Sequence, residues 1–383
     1  MVPPSSGSKE QPLCGGIQFI RPGQPPAGGC PGTARPAHPS RTLWGDVVTR
    51  TSPQLLRRLL RVSLLLSALF IAAVFLGICM GSTHINVSQV FKSLMEGSEK
   101  NAMVHTILWH IRLPRVLLAA LVGAALSAGG LVFQALLRNP LAEPYILGIS
   151  SGSGIGAILG ILAGLSRFPG VSLSAFAGSM ATLLLLLFMS SGESMLRRHT
   201  LLLSGVMINA FCGALIMFLI SITHDARLHN IIFWLMGDLS LSDMHNVWVV
   251  AAILLPSCIL IFFLSNAMNL LLMGREVAHT MGIHITMVTS ILLVVTSLMV
   301  SITVSQCGPV GFVGLVMPHL MRLIFGPDHR VLVPACILGG GTYMILCDLL
   351  ARTLPDQGEM PAGVITAMIG APLFIILLKR SRP

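Results

Sequence analysis

Gly148-Ile149-Ser150-Ser151-Gly152 has the Gly-x-Ser-x-Gly spacing of a nucleophile elbow, which presents a serine hydroxyl to a carbonyl when a histidine and a carboxylate complete it. His319 or His279 would be the base of an intramembrane serine protease. The pattern works on a strand-to-helix turn, whereas here it opens an apolar run rich in Gly and Ser, where composition alone produces such matches. Gly152-Ser153-Gly154 begins a loose glycine pattern with no strand before it, so a dinucleotide site is not indicated. Of 12 histidines, His84, His105, His110, His224, His229 and His245 fall on one predicted side, with no His-x-x-x-His inside an apolar run. They read as interfacial polar residues or as passing contacts for an iron-bearing ligand at a mouth. The 8 cysteines form no Cys-x-x-Cys and sit mostly in apolar runs, so neither a disulfide frame nor a zinc site is signalled. A Walker A loop needs Gly-Lys followed by Ser or Thr, and Lys9, Lys92, Lys100 and Lys379 follow Ser, Phe, Glu and Leu. ATP-driven work therefore requires another subunit.

The elements that must carry these residues are membrane helices. Apolar residues make up 54% of the 383-residue chain and charged residues 10%, with mean hydropathy +0.83. A soluble globule carries about 25% charged residues because charge covers its surface, so a soluble enzyme is excluded. The net charge of +10 could suggest nucleic acid, but the basic residues lie in short connections between apolar runs, where they orient a chain in a bilayer. Residues 1–55 are rich in Pro, Gly and Ser without apolar periodicity, and are expected to be a disordered cytoplasmic extension ahead of a permease domain at 56–383.

Ten apolar runs follow, near 62–80, 114–137, 144–165, 170–190, 200–222, 247–265, 286–305, 309–324, 333–350 and 361–378. Each approaches the roughly 20 residues that cross about 30 Å of hydrocarbon. Gln306-Cys307-Gly308-Pro309 splits the seventh from the eighth, and Ile231 to Gly237 is too brief to cross, predicting a re-entrant or interfacial piece. With the N-terminus cytoplasmic, thirteen Lys/Arg fall in inner connections against seven in outer ones, predicting both termini in the cytoplasm. Trp109, Trp234 and Trp248 then land at the outer interface.

In the third run Gly148, Gly152, Gly156, Gly160 and Gly164 recur every fourth residue, a ridge without side chains that suits close helix packing or, alternatively, substrate passage. Between the sixth and seventh runs, Met268 to Ile283 holds Gly274, Ala278 and Gly282 four apart, with Leu271, Leu272, Met273, Val277, Met281 and Ile283 as an apolar face. In a plain connector those side chains would face water, so a partner-binding helix is expected.

In this context the connection resembles the coupling segment of binding-protein-dependent ABC importers. Further strings narrow the resemblance: Arg112-Leu113-Pro114-Arg115; Gln134 to Pro144 followed by Leu147-Gly148; Gly311 to His319 with Arg322; Asp328-His329-Arg330; Pro361-Ala362-Gly363-Val364; and Gly370-Ala371-Pro372. Together they are similar to the permease family importing ferric siderophores, haem and vitamin B12, over about residues 57–382. The resemblance implies an all-α type II importer permease of about ten spans, paired with a second permease copy around a central pathway. Two ABC ATPase subunits that use ATP and Mg lie below, and a periplasmic or lipid-anchored substrate-binding protein docks above. It places the chain in the inner membrane among lipid, with no nucleic-acid partner. By the same resemblance Arg112, Arg115 and Arg352 receive acidic residues of the binding protein, although anchoring to phosphate headgroups is the plainer use of such arginines. Gly274, Arg275, Glu276, Ala278, Met281 and Gly282 sit in an ATPase cleft, and Arg138, Asn139, Pro140 and Leu141 form an inner gate. No catalytic residue, metal or bound cofactor is implied for this chain. Ferric siderophore is the expected cargo, with vitamin B12 or haem as the alternative. A secondary transporter would need coupling carboxylates near mid-membrane, and Glu143, Glu193, Glu276, Asp328 and Asp348 all lie toward predicted span ends.

Overall fold

Thirteen helices carry the architecture of the computed structural model, which describes residues 53–81, 102–189, 198–355 and 358–380. The N-terminal extension to residue 52, His84, Lys92, Lys100, Glu193 and Arg197 lie outside the described residues. Helix α1 (Pro53–Cys79) begins on a proline, tolerated at a first turn because that N–H has no helical acceptor. One face packs on the bundle through Val62, Leu66 and Ala73, while Leu64, Leu65 and Ile71 point outward as apolar side chains do toward lipid. α2 (Leu113–Leu137) is the opposite case, buried around nearly its whole circumference. A helix apolar on all sides belongs at the centre of a bundle, and α2 touches α10 (Ile285–Cys307), α11 (Val313–Phe325) and α12 (His329–Thr353).

Glycine sets how closely these helices lie. A Cβ on Gly123 would strike the Gly340 carbonyl of α12, and one on Gly130 would strike the Gly314 carbonyl of α11. The ridge on α3 (Ile149–Leu162) behaves likewise: Gly152 lies against Thr182 and the Gly178 carbonyl, and Gly156 against the Ser174 carbonyl of α4 (Ser172–Met189). α4 therefore fills that face, and of the two uses open to the ridge the structure selects packing.

Around this centre run α5 (Arg198–Ser221), α6 (Asp225–Leu235), α7 (Met244–Phe263), α8 (Ser265–Met273), α9 (Arg275–Thr280) and, last in the chain, α13 (Ala362–Arg380). Among the described residues, seven helical stretches are long and apolar enough to cross a membrane. α3, α11 and the Ala362–Leu377 part of α13 complete the ten runs but are shorter. At 1.5 Å per residue, α11 covers about 20 Å, well under the thickness of hydrocarbon. The eighth apolar run thus yields a helix starting part-way along the bundle, with Gly308–Phe312 as non-helical backbone leading into it. The six cysteines in the described region are buried and unpaired.

The glycine contacts give a direct test. Gly130→Ala forces overlap with a backbone carbonyl, whereas Gly213→Ala meets nothing within 4 Å. Overpacking of this kind costs about 1–3 kcal/mol. In detergent, Gly130→Ala should melt several degrees below wild type and Gly213→Ala should match it, measured by fluorescence-detected size exclusion after heating.

Candidate functional site

Two non-glycine residues among those described have positive φ, Arg138 (47°) and Phe312 (67°). Each such residue stores backbone strain of order 1–3 kcal/mol, and such strain concentrates where a chain must hold a particular connection. Arg138 ends α2, with its N–H on the Ala135 carbonyl and that of Asn139 on Gln134, and the chain turns back through Pro140, Leu141 and Ala142. Asn139 accepts the Leu141 N–H at 3.0 Å through Oδ1, closing that turn. Glu143 then accepts the Phe312 N–H at 2.8 Å. Tyr145 grips the same loop twice, its hydroxyl donating to the Val310 carbonyl and accepting the Val310 N–H.

A third break joins this pair. Two residues after α6 ends at Leu235, Gly237 takes φ 79°, and a Cβ there would meet the Pro309 carbonyl. The Asp238 N–H donates to the Cys307 carbonyl at 2.8 Å, and the Gly363 N–H donates to Gly237 at 3.1 Å. Asp238 also pairs with Arg167 at 2.8 Å and accepts from the Ser240 N–H and hydroxyl. Burial would raise this carboxyl, but the Ser240 and Arg167 hydrogen bonds hold it below the ordinary range. Three interruptions of helical structure thus satisfy one another's polar groups. The brief piece expected at Ile231–Gly237 is the end of an 11-residue helix. Its Trp234 is buried at 6% exposure, unlike Trp109 and Trp248 at 42% and 69%, so only two of the three tryptophans suit a water–lipid boundary.

At the Arg138 end, α8 and α9 form the connection expected to meet a partner. Gly274 (φ 135°) and Gly282 (φ 79°) bracket α9, and a Cβ on either would meet open space. Met273, Val277 and Met281 are exposed at 70%, 41% and 60%. Glu276 is exposed as well, and the Arg275 side chain lies outside the described residues. Ala278 departs from the expected pattern: it is fully buried and seats α9 on the bundle, as Leu271 seats α8. The exposed apolar face is therefore narrower than the sequence suggests. Arg138 donates to the Leu271 carbonyl, tying the α2–α3 connection to this segment.

Arg112, Arg115 and Arg352 come together at the opposite end of α2, but turned inward, at 3%, 3% and 4% exposure. Arg112 donates to the Ile78 and Cys79 carbonyls at 2.9 and 3.0 Å, so a cation meets the C-terminus of α1, where the helix dipole favours it. Arg115 pairs with Asp348 at 2.9 Å and with Glu359, while Arg352 lies 3.0 Å from Asp348 Oδ2 and reaches the Gly77 carbonyl. In this structure the three guanidinium groups join α1, α2 and α12 and are not offered to solvent. Glu359, one-third exposed, is the member of the cluster nearest the surface.

Ser150 and His319 do not form a nucleophile–base pair, since both His319 ring nitrogens lack hydrogen-bond partners and the ring lies edge-on to Phe374. Sequence reasoning missed the Glu143–Phe312, Tyr145–Val310 and Asn269–Asp328 bonds. Each joins residues far apart in the chain, and only the turn residues near Gly308 hinted that backbone there needed external partners.

Residues 69–380 match the model of the FecCD transport family. The chain is 38% identical over 325 residues to the vitamin B12 import system permease protein BtuC of Salmonella typhi, covering 85% of this chain and 97% of that protein. It is 39% identical over 331 residues to the protein of the same name from Salmonella arizonae, covering 85% and 96%. Among solved structures, an inward-facing protein described as of the metal-chelate ABC transporter type superposes with TM-score 0.75 at 30% identity, over 84% of this chain and 99% of that one. PsaBC from Streptococcus pneumoniae, at TM-score 0.50 and 18% identity over 70% and 90%, shares the fold.

One measurement probes this geometry. Asp348→Ala leaves Arg115 and Arg352 without their shared carboxylate, and breaking a buried pair costs about 3–5 kcal/mol. Yield of the folded chain should collapse, and it should recover in part when Arg352→Met is added.

Proposed function

The chain belongs to the FecCD transport family, and on that footing we propose that it is the membrane permease subunit of a binding-protein-dependent importer of vitamin B12. One observation carries the cargo assignment: identity of 38–39% to vitamin B12 permeases extends over nearly their whole length. Ferric siderophore, the cargo expected from the family resemblance, ranks behind it as a second reading, supported by the likeness to the metal-chelate type transporter.

The family is one of ABC importer permeases, multi-pass membrane subunits whose ATPase is a separate polypeptide. In the proposed assembly two copies of this chain enclose the pathway above two ATPases, with both termini in the cytoplasm of a cell whose inner membrane holds the complex. The ATPase receives α9 and its exposed Val277 and Met281, and the glycines on either side let that helix seat without side-chain obstruction. The binding protein docks at the end carrying Arg112, Arg115 and Arg352. An acidic residue of that partner reaches Arg115 only by displacing Glu359, so docking exchanges one carboxylate for another on a buried cation. The cycle is alternating access: closure of the ATPases on ATP moves α8–α9, and the Arg138–Leu141 connection responds through Leu271.

The test is uptake by the assembled importer, with its own ATPase and binding protein, in a strain lacking cobalamin and siderophore permeases. Labelled cyanocobalamin should accumulate and ferric siderophores should not; the reverse pattern would overturn the cargo. Gly282→Trp, at the ATPase contact, should cut uptake roughly tenfold while ATP hydrolysis continues. Ser150→Ala should stay within about twofold of wild type, whereas its complete loss would revive the protease reading.

A further inference from the structure

Asp328-His329-Arg330 is prominent in the sequence and has no part in the pathway or the ATPase contact as described. Its place in the fold is the α11–α12 corner, against α8. Asn269 of α8 donates from Nδ2 to Asp328 Oδ1 at 2.8 Å. Its Oδ1 accepts the His329 N–H at 2.9 Å and lies 2.8 Å from His329 Nδ1. An amide oxygen only accepts, so the ring must carry its proton on Nδ1. A single amide thus makes three bonds to two successive residues, which fixes its position and direction together. Asp328 is fixed in turn, accepting the Arg330 N–H at 3.0 Å as the cap of α12 and pairing with the Arg330 guanidinium at 3.1 Å. Burial would raise the Asp328 carboxyl, but its bonds from Arg330 and Asn269 keep it below the ordinary range, so it stays an acceptor near neutral pH. Two residues along α8, Leu271 accepts from Arg138.

We propose that Asn269, Asp328 and His329 form a clasp that makes α8 and the start of α12 one rigid body, so that displacement of α9 by the ATPase reaches the bundle core through α12 as well as through Arg138. This rests on the transport reading above, and it assigns these residues a positioning role. α12 is the element to move: it packs on α2 at Gly123–Gly340 and on α1. Gly274, where the backbone leaves the L-residue region and no neighbour confines it, lets α9 tilt onto its partner, while a translation of α9 is still carried along the chain into α8.

The chemistry of the clasp supplies its own rescue. Asn269→Leu removes all three bonds at similar volume. Exchanging the groups, Asn269→Asp with Asp328→Asn, keeps one amide and one carboxylate facing each other: a carboxylate at position 269 still accepts both His329 donors, and an amide at 328 still donates back. In the complete importer in liposomes, Asn269→Leu should lower cyanocobalamin moved per ATP hydrolysed by roughly tenfold, with hydrolysis itself retained, and the exchange should recover most of that ratio. A second reading needs no cargo: spin labels on exposed Met273 of α8 and Pro327 should keep their separation on ATP addition in wild type and in the exchange, and change it in Asn269→Leu. A wild-type complex that hydrolyses ATP but moves no cobalamin sinks the cargo reading and leaves the label distances to decide the clasp. An Asn269→Leu chain with wild-type coupling and distances would overturn the clasp, as would an exchange that stays uncoupled. If Asn269→Leu fails to assemble while the exchange assembles and couples, the proposal stands.

Discussion

A bilayer offers the backbone no water, so any chain that leaves helical geometry inside it must find hydrogen-bond partners within the protein. That constraint explains why the three interruptions here are found together. The α2–α3 connection, the turn after α6 and the loop before α11 each hold polar groups that a helix would have satisfied, and each satisfies them on another. Glu143 and Tyr145 serve as side-chain substitutes for helical carbonyls and N–H groups, and Asp238 ties the set to Arg167. Glu143, five residues beyond Arg138, links that connection directly to Phe312 through one hydrogen bond.

Against this linked interior stands a bundle centre built for close approach. Glycines on α2, α3, α11 and α12 bring backbones within contact of neighbouring carbonyls, where dispersion and weak polar contacts replace the hydrophobic drive that lipid cannot supply. The α8–α9 segment differs in kind. Its tip exposes apolar side chains and unobstructed glycines, the features on which the proposed ATPase contact rests, while its base is bonded to the core.

Much of this was legible before any coordinates. Hydropathy places the ten runs because it reports which solvent a segment prefers, whereas the four-residue glycine spacing of α3 leaves packing and passage both open until the contacts with α4 decide for packing. Depth and pairing are different matters. Hydropathy does not say that α11 starts part-way along the bundle, since its lead-in is as apolar as a span. Nor does an arginine near a span end reveal whether it faces out or in: Arg115 turns inward because Asp348, more than two hundred residues away, is there to receive it. Ala278 shows the limit at small scale. The spacing with Gly274 and Gly282 was plain, but the face on which the methyl falls depends on how α9 sits on the bundle.

The buried cluster of Arg112, Arg115, Arg352, Asp348 and Glu359 has a bearing on how the molecule responds to heat. Removing charges from water is penalised less as temperature climbs, because ionic hydration carries a strongly negative entropy, while the gain from burying hydrocarbon levels off. The seam joining α1, α2 and α12 therefore counts for relatively more in a warm cell than in a cold one. On warming, fraying should begin along the greasy flanks, with that charged corner among the last parts to loosen.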